Sequence, residues 1–225
     1  MLEIQGYKEL YEQERLKVYN MDCVELLKQV PDKYFDLAIV DPPYGIGFDN
    51  KIREGKIKNW DNESPNDFYF IEIQRVSKNQ IVWGGNYFSF LWKTSCKSFI
   101  FWDKDPTVDN YSDGELAWTS FNLPAKRFYW AWNGLANGIK GKNKTDKTIH
   151  PTQKPVALYT WLLNKYAKPN FKILDTHFGS GSHAIANHYY GSELIACELD
   201  TDYFKASVER IKKETRQLSF LQGGV

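Results

Sequence analysis

The sequence is poor in cysteine and histidine, and its charges nearly cancel. The chain has three cysteines and four histidines, and 29 basic residues face 28 acidic ones. Cys23, Cys96 and Cys197 are far apart in the chain, which argues against a disulfide framework and against a zinc site. The histidines also lack the spacing of metal ligands. We therefore expect three buried thiols, a reducing compartment and no bound metal.

The chain also lacks long hydrophobic runs. No apolar stretch is long enough to cross a bilayer, and the N-terminus is too charged for a signal peptide. A net charge of +1 argues against a wholly basic nucleic-acid-binding surface, but it is compatible with local basic patches. The length of 225 residues fits one domain of ordinary size, spanning 1–225.

The most informative stretch is Asp41-Pro42-Pro43-Tyr44. It follows Phe35–Val40, an apolar run that predicts a buried parallel strand, and ligands of open α/β sheets bind at carboxyl ends of strands. The prolines remove two backbone donors, Asp41 adds an acceptor-only carboxylate and Tyr44 offers a flat aromatic ring. These groups predict a rigid slot for a flat molecule that donates hydrogen bonds, such as the amino group of a base. A proline-rich turn without a ligand is the alternative.

A second pattern of strand, glycine-rich turn, helix and strand lies in the C-terminal third. Phe171–Asp175 predicts the first strand, Thr176–Ser182 the turn, and the following strand ends in Glu198. In nucleotide-binding βαβ units, glycines such as Gly179 and Gly181 let the backbone approach a ligand, and the strand-end acid accepts the ribose hydroxyls. An ordinary tight turn between strand and helix is the alternative.

Several further elements are predicted around these two motifs. Residues 1–15 are expected to form a peripheral helix or loop, and Leu16–Asn20 a strand. Ser64 is expected to cap a helix that ends near Lys78. The segments 115–120 and 127–132 are predicted to be strands that pair with each other in antiparallel fashion.

Asp22 is expected to cap a short helix directly after the Leu16–Asn20 strand. Glu25 stands three residues further on, which is the spacing of a capping box. Because the cap also lies at the end of a strand, Asp22 could in addition contact a ligand. The simpler alternative is that Asp22 is only the helix cap.

Two polar segments, 45–63 and 134–147, are rich in basic residues. For 45–63, a solvated charge run is the default interpretation and contact with phosphates is the functional one. For 134–147, a disordered linker and a nucleic-acid-contacting loop fit the composition equally well. The position of the first segment, just after the slot, favours contact with phosphates. The candidate phosphate contacts are Lys51, Arg53, Lys56, Lys58, Lys140, Lys142 and Lys144.

Together these stretches resemble the S-adenosylmethionine-dependent DNA amino-methyltransferases of the N6-adenine/N4-cytosine family. The matching stretches are Asp41–Tyr44, Ile81–Tyr87, His150–Pro155, Asp175–Ser182 and Cys197–Asp200. The resemblance implies a Rossmann-like α/β fold, with a mostly parallel twisted sheet and helices on both faces. It also implies S-adenosyl-L-methionine as cofactor and double-stranded DNA as partner, in the cytoplasm of a bacterial or phage-infected cell, and it suggests a homodimer.

The order of the motifs resembles the β group of this family. The resemblance divides the chain into a catalytic half (16–120), a short target-recognition segment (121–147) and a cofactor-binding half (148–216). The form Asp-Pro-Pro-Tyr is usual in adenine-N6 enzymes, whereas cytosine-N4 enzymes more often begin with Ser. We therefore expect N6 methylation of adenine in DNA. Cytosine-N4 methylation and a non-catalytic DNA-binding module are the alternatives.

The resemblance also assigns roles to individual residues. Asp41 and the Pro42 carbonyl would accept the hydrogens of the target amino group, with Pro43 completing the slot and Tyr44 stacking on the flipped base. Glu198 would bind the ribose hydroxyls of the cofactor, and Asp22 its adenine amino group. The expected cofactor contacts are Asp22, Cys23, Thr152, Lys154, Asp175, Phe178, Gly179, Ser180, Gly181, Ser182, Glu198 and Leu199. Thr176-His177 departs from the Pro-Phe that is often found in the family.

Overall fold

A computed structural model describes residues 2–47, 61, 63–93, 98–105, 112–132, 148–150 and 152–216. The strands are β1 Leu10–Gln13, β2 Leu16–Asn20, β3 Phe35–Val40, β4 Ser77–Trp83, β5 Phe99–Asp103, β6 Gly114–Thr119, β7 Lys126–Tyr129, β8 Lys172–Asp175 and β9 Glu193–Glu198. The helices are α1 Cys23–Leu27, α2 Asp67–Val76, α3 Val156–Tyr166, α4 Ser182–Tyr190 and α5 Thr201–Arg216. Two short 3-10 turns, Gly85–Tyr87 and Ser89–Trp92, follow β4.

The strands form one sheet in the order β1-β2-β9-β8-β3-β4-β6-β5-β7. Its five adjacent strands from β2 to β4 are parallel, while β6 runs antiparallel to both β4 and β5. From the neighbouring strands β8 and β3, the chain proceeds outward in opposite directions, to β9 and to β4. This is a topological switch point, where ligands of open α/β sheets bind beyond the carboxyl ends of the strands.

Helices cover both faces of the sheet, which confirms the predicted fold class. One hydrophobic cluster packs α3, α4 and α5 against the sheet, and a second packs α1 and α2 against the opposite face. Because side chains alternate along a strand, β3 contributes Leu37 and Ile39 to the first cluster and Ala38 and Val40 to the second. The described helices include none with the length and apolar character that crossing a membrane requires.

The N-terminal segment differs from its prediction. Residues 10–13 form β1, which pairs antiparallel with β2, rather than a peripheral helix or loop. The side chains of β1 alternate between exposed and half-buried positions, so the strand buries no apolar stripe. Its pairing depends on backbone hydrogen bonds to β2, which leave no pattern in the sequence.

Three local predictions around the catalytic half also need correction. The cap of α2 is Asn66, whose side chain accepts from Tyr69 N at 3.3 Å, and not Ser64. The strands β6 and β7 do not pair with each other, because β5 lies between them. Asp22 caps α1 as predicted, but the Glu25 carboxylate bonds Lys28 instead of completing a capping box.

Candidate active site

Four acidic residues stand where neighbouring parallel strands end. Asp22 follows β2, Glu198 closes β9, Asp175 closes β8 and Asp41 follows β3. These four strands are adjacent in the sheet, so the acids line one edge across the switch point. The two motifs found in the sequence therefore lie at the same edge of the sheet, at the switch point where open α/β sheets have their ligand crevice.

The Asp41-Pro42-Pro43-Tyr44 segment forms a compact polar cluster. Oδ1 of Asp41 accepts from the Tyr44 hydroxyl at 2.8 Å, and Oδ2 lies 2.6 Å from Nζ of Lys154. One face of the Tyr44 ring stacks on Tyr87, with centroids 5.0 Å apart and planes inclined by 16°. The side chain of Asp41 is 16% exposed, so its carboxylate is shielded from water but reachable from the crevice.

Glu115 on β6 belongs to the same cluster, although the sequence analysis did not identify it. Its Oε2 lies 3.0 Å from Nζ of Lys154 and 3.4 Å from the Tyr44 hydroxyl, while its Oε1 accepts from Lys104. An acidic residue at the start of an apolar strand was the only signal in the sequence. Glu115 reaches the slot because β6 lies beside β4 in the sheet.

The charges of this cluster shift the ionisation of its members. Burial raises the pKa of the Asp41 carboxyl above its ordinary value, although the charge of Lys154 opposes the shift. Burial would also raise the pKa of Glu115, but Lys154 and Lys104 outweigh it and lower that pKa to about 2. Burial would lower the pKa of Lys154, yet attraction to the two carboxylates raises it. Of the two acids, Asp41 is thus the one that more readily takes up a proton.

Backbone contacts hold the slot in place. Oδ1 of Asp61, a buried side chain, accepts from Tyr44 N at 2.7 Å and Gly45 N at 3.1 Å. Gly84 has a φ of +66°, and a Cβ built on it would lie 2.2 Å from Cε1 of Tyr44. A glycine at position 84 therefore permits both the left-handed backbone conformation and the close approach of the Tyr44 ring.

We expect Gly84→Ala to lower the free energy of unfolding by at least about 2 kcal/mol. The left-handed backbone costs about 1–2 kcal/mol for a non-glycine residue, and overpacking against the ring adds about 1–3 kcal/mol. Urea denaturation measures the change. Gly6→Ala is the matched control, since Gly6 has a φ of +77° and no atom of the described residues lies within 4 Å of its Cβ position. Equal losses in the two variants would show that the Tyr44 contact contributes nothing.

The glycine-rich turn approaches Glu198 through its backbone. Gly179 and Gly181 have φ values of +53° and +74°, and Gly179 N donates to Oε2 of Glu198 at 2.8 Å. The other oxygen, Oε1, accepts from Asp200 N at 3.0 Å. Each carboxylate oxygen can accept a further hydrogen bond, so Glu198 is oriented without being saturated. Burial raises the pKa of its carboxyl.

Residues of α5 and α4 hold the glycine-rich turn in place. Nη1 of Arg210 donates to Ser180 O at 3.0 Å and to Ser182 Oγ at 2.9 Å, and Phe178 is buried in the core. Asp175 was predicted to contact the cofactor, but its buried carboxylate accepts from His177 N and lies 2.9 Å from Nδ1 of His183. In this structure Asp175 therefore supports the turn rather than facing the crevice.

The segment before α3 lies beside the glycine-rich turn. The His150 ring lies 3.8 Å from the position of a Cβ on Gly179, and Thr152 Oγ1 lies 3.2 Å from Nδ1 of His150. Thr152 thus lies near the turn. Lys154, which was predicted to help hold the cofactor, instead extends into the slot and bonds Asp41.

At the far end of the crevice, Asp22 and Cys23 begin α1. Sγ of Cys23 lies 4.0 Å from Nε2 of His177. Burial raises the pKa of the Cys23 thiol to about 12 and lowers the pKa of His177 to about 4, so both are neutral near pH 7. Leu199, directly after Glu198, is 59% exposed. This end thus offers an acid and an exposed apolar side chain, which suits an aromatic ring with an amino group.

The predicted phosphate contacts Lys51, Arg53, Lys56, Lys58, Lys140, Lys142 and Lys144 all lie outside the described residues. The described part of the chain contains no cluster of His, Cys, Asp or Glu that could hold a metal ion. The candidate site thus comprises the slot with Lys154 and Glu115, the glycine-rich turn, and the strand-end acids Asp22 and Glu198.

Comparison with known proteins identifies the family. The model of a DNA methylase family, N6_N4_Mtase, matches residues 82–209. The type II methyltransferase M.ScaI of Streptomyces caespitosus is 25% identical, with 94% of this chain and 86% of that protein covered. The putative methylase YubD of Escherichia coli K12 is 26% identical, covering 88% of this chain and 90% of YubD.

Solved structures of similar proteins share the fold. The M1.HpyAVI–SAM complex superposes with a TM-score of 0.60 at 23% identity, covering 87% of this chain and 99% of that one. The cytosine-N4-specific PvuII DNA methyltransferase gives a TM-score of 0.62 at 13% identity, covering 95% and 96%. Since the family model covers more than half of the sequence, the chain belongs to the N6/N4 DNA methylase family of S-adenosylmethionine-dependent methyltransferases.

Proposed function

We propose that this methyltransferase methylates the N6 amino group of adenine in double-stranded DNA, with the base flipped into the Asp41–Tyr44 slot. The observation that carries the proposal is the shielded Asp41 carboxylate, fixed at the switch point by Tyr44 and placed beside the glycine-rich turn. Asp at the first motif position, rather than Ser, favours adenine over cytosine. A base must leave the duplex to reach such a recessed group.

The crevice fits S-adenosylmethionine along the strand ends. Glu198 would accept the ribose hydroxyls, and Asp22 the adenine amino group, with Leu199 against the ring. The backbone of Phe178–Ser182 would hold the methionine end, near Thr152. The N–H groups of the two left-handed glycines already bond Glu198 and Phe178 O, but the first turn of α4, which has no side-chain cap among the described residues, leaves N–H groups for the carboxylate of the methionine end. The bound cofactor supplies an electrophilic methyl group on a positively charged sulfur.

Asp41 and the Pro42 carbonyl would act on the target amino group, which is a poor nucleophile because its lone pair is delocalised into the ring. By accepting its two hydrogens they favour a tetrahedral nitrogen, whose lone pair can attack in line. The nitrogen–carbon bond forms as the sulfur–carbon bond breaks, and the nitrogen then loses one proton. Asp41 would accept that proton, and its raised pKa suits the task. Most of the acceleration comes from positioning.

The test is methyl transfer from labelled S-adenosylmethionine to unmethylated DNA, followed by digestion and nucleoside mass analysis. We expect N6-methyladenine. N4-methylcytosine would retain the mechanism and correct the base. Cofactor binding without any methylated DNA product would refute the proposed function.

The basic segments 45–63 and 134–147 are proposed to hold DNA phosphates, with 121–147 as the target-recognition segment between the two halves. We further propose that the enzyme acts in the cytoplasm, as a homodimer. Sedimentation with and without DNA tests the oligomeric state. A monomer under both conditions would contradict the dimer.

DNA affinity is expected to fall steeply with salt. Each phosphate neutralised by Lys or Arg adds about 0.9 to the slope of log affinity against log salt. Fluorescence anisotropy with labelled duplex between low and physiological salt measures this slope. Replacing Lys51 and Arg53 by Ala should reduce it, whereas Lys212→Ala on α5 serves as the control. An affinity independent of salt would contradict the phosphate contacts.

A further inference from the structure

The slot contains a conflict between two hydrogen-bond donors. In the proposed function, Asp41 accepts a hydrogen of the target amino group, yet Nζ of Lys154 already lies 2.6 Å from Oδ2 of that carboxylate. Lys154 is only 4% exposed, so its ammonium group fills the space beside Asp41. An ammonium group and an amino group have similar size. For the target amino group to take this position on Oδ2, Lys154 must move off Asp41.

A buried ammonium group needs another partner when it leaves the first. An unpaired charge in a desolvated site is strongly unfavourable. Glu115 provides the partner, because its Oε2 lies 3.0 Å from Nζ of Lys154. The rings of Trp83 and Tyr44, with centroids 5.3 Å and 5.8 Å from Nζ, add π-faces on which the ammonium group can shift.

Glu115 is itself well fixed and stays charged. Lys104 donates to its Oε1, and Nζ of Lys104 lies 4.7 Å from the centroid of the Trp102 ring. Trp102 is the residue opposite Glu115 in the antiparallel pairing of β5 and β6. The cluster thus contains two carboxylates and two ammonium groups. A small movement of Lys154 within the cluster leaves the net charge of the cluster unchanged.

We infer that Glu115 is a positioning residue for methyl transfer: it retains the ammonium group of Lys154 when the target amino group takes its place on Asp41. This inference rests on the proposed function, because it concerns the same slot. Glu115 does not touch the base. It acts through Lys154, and no bond is made or broken in this step.

The decisive variant is Glu115→Gln, which keeps the size of the side chain and removes its charge. Among the described residues, Lys154 then has only Asp41 as a charged acceptor, so it competes with the base. We expect the single-turnover rate at saturating DNA and cofactor to fall about tenfold. The dissociation constant for S-adenosylmethionine should change less than about twofold. Glu115→Asp retains the charge and should recover most of the rate.

Repeating the substitution in the Lys154→Met variant distinguishes this positioning role from a purely structural role of Glu115 in β6. In Lys154→Met there is no ammonium group to hold, so adding Glu115→Gln should change the rate less than about twofold. An equal fall in both backgrounds would overturn the inference, as would an unchanged rate in Glu115→Gln. Glu209→Gln, which breaks the exposed pair with Lys212, is the control and should leave the rate unchanged.

The outcomes also distinguish this inference from the proposed function. An active wild type with an unaffected Glu115→Gln refutes the inference alone. A wild type that binds cofactor but methylates no DNA overturns both. Thermal melting of each variant is measured first. If Glu115→Gln does not fold at the assay temperature, Glu115→Met, which also removes the charge, is compared in the wild-type and Lys154→Met backgrounds, and equal falls in the two would overturn the inference.

Discussion

Asp41→Ala is expected to lower the rate constant of methyl transfer at least about tenfold. The variant removes the carboxylate that would accept an amino hydrogen and then the released proton. A hydrogen bond to a charged group contributes about 1.5–3 kcal/mol, and about 1.4 kcal/mol is tenfold in rate. Single-turnover methylation with labelled S-adenosylmethionine at saturating DNA measures the change.

The affinity of this variant for S-adenosylmethionine should be nearly intact. Asp41 lies after β3, whereas the proposed cofactor contacts follow β2, β8 and β9. The fold should also persist, because Lys154 retains Glu115 as a charged partner. Calorimetric titration with the cofactor provides this control. Asp41→Asn keeps one acceptor oxygen, so its rate of methyl transfer should lie between those of the wild type and Asp41→Ala. Methylation by Asp41→Ala at the wild-type rate would refute the assignment of Asp41.

Trp83→Ala is expected to lower the free energy of unfolding by about 3–5 kcal/mol. Trp83 is fully buried at the end of β4, and its ring lies edge-on to Trp102 with centroids 6.3 Å apart. Loss of the indole removes apolar burial and leaves a cavity beneath Lys154. For a domain with about 5–15 kcal/mol of stability, the loss is a large fraction. Urea denaturation followed by circular dichroism measures it.

Trp83→Phe is the matched comparison. Within the described residues, Nε1 of Trp83 has no hydrogen-bond partner, so Phe removes a buried polar atom without breaking a hydrogen bond. We expect Phe to cost clearly less than Ala. Equal destabilisation by the two replacements would show that the aromatic packing at this position does not contribute as the structure indicates.

The sequence predicted the parts of the site that are local. A buried strand followed directly by Asp41–Tyr44, or by the turn with Gly179 and Gly181, places those residues at a strand end whatever the rest of the chain does. Parallel strands end at the same edge, so even the proximity of the two motifs could be expected. The helix boundaries were less accurate. The cap of α2 is Asn66 and not the predicted Ser64, because several polar residues in this stretch could serve equally well as caps.

Other features depended on pairings that no local pattern encodes. The strand β1 has no apolar stripe, and β6 lies between β4 and β5 rather than beside β7. Such choices are made by the packing of the whole sheet. The same holds for Asp61, which bonds Tyr44 N from 17 positions away.

By itself, the sequence determined the fold class, the family resemblance and the two strand-end motifs, because strand, turn and helix signals lie within a few consecutive residues. Only the tertiary structure decided what surrounds Asp41. Lys154 reaches it from 113 positions away, and Glu115 joins it because β6 inserts antiparallel beside β4. Charges that are distant in the chain become partners only when folding buries them together, and a buried charge requires such a partner.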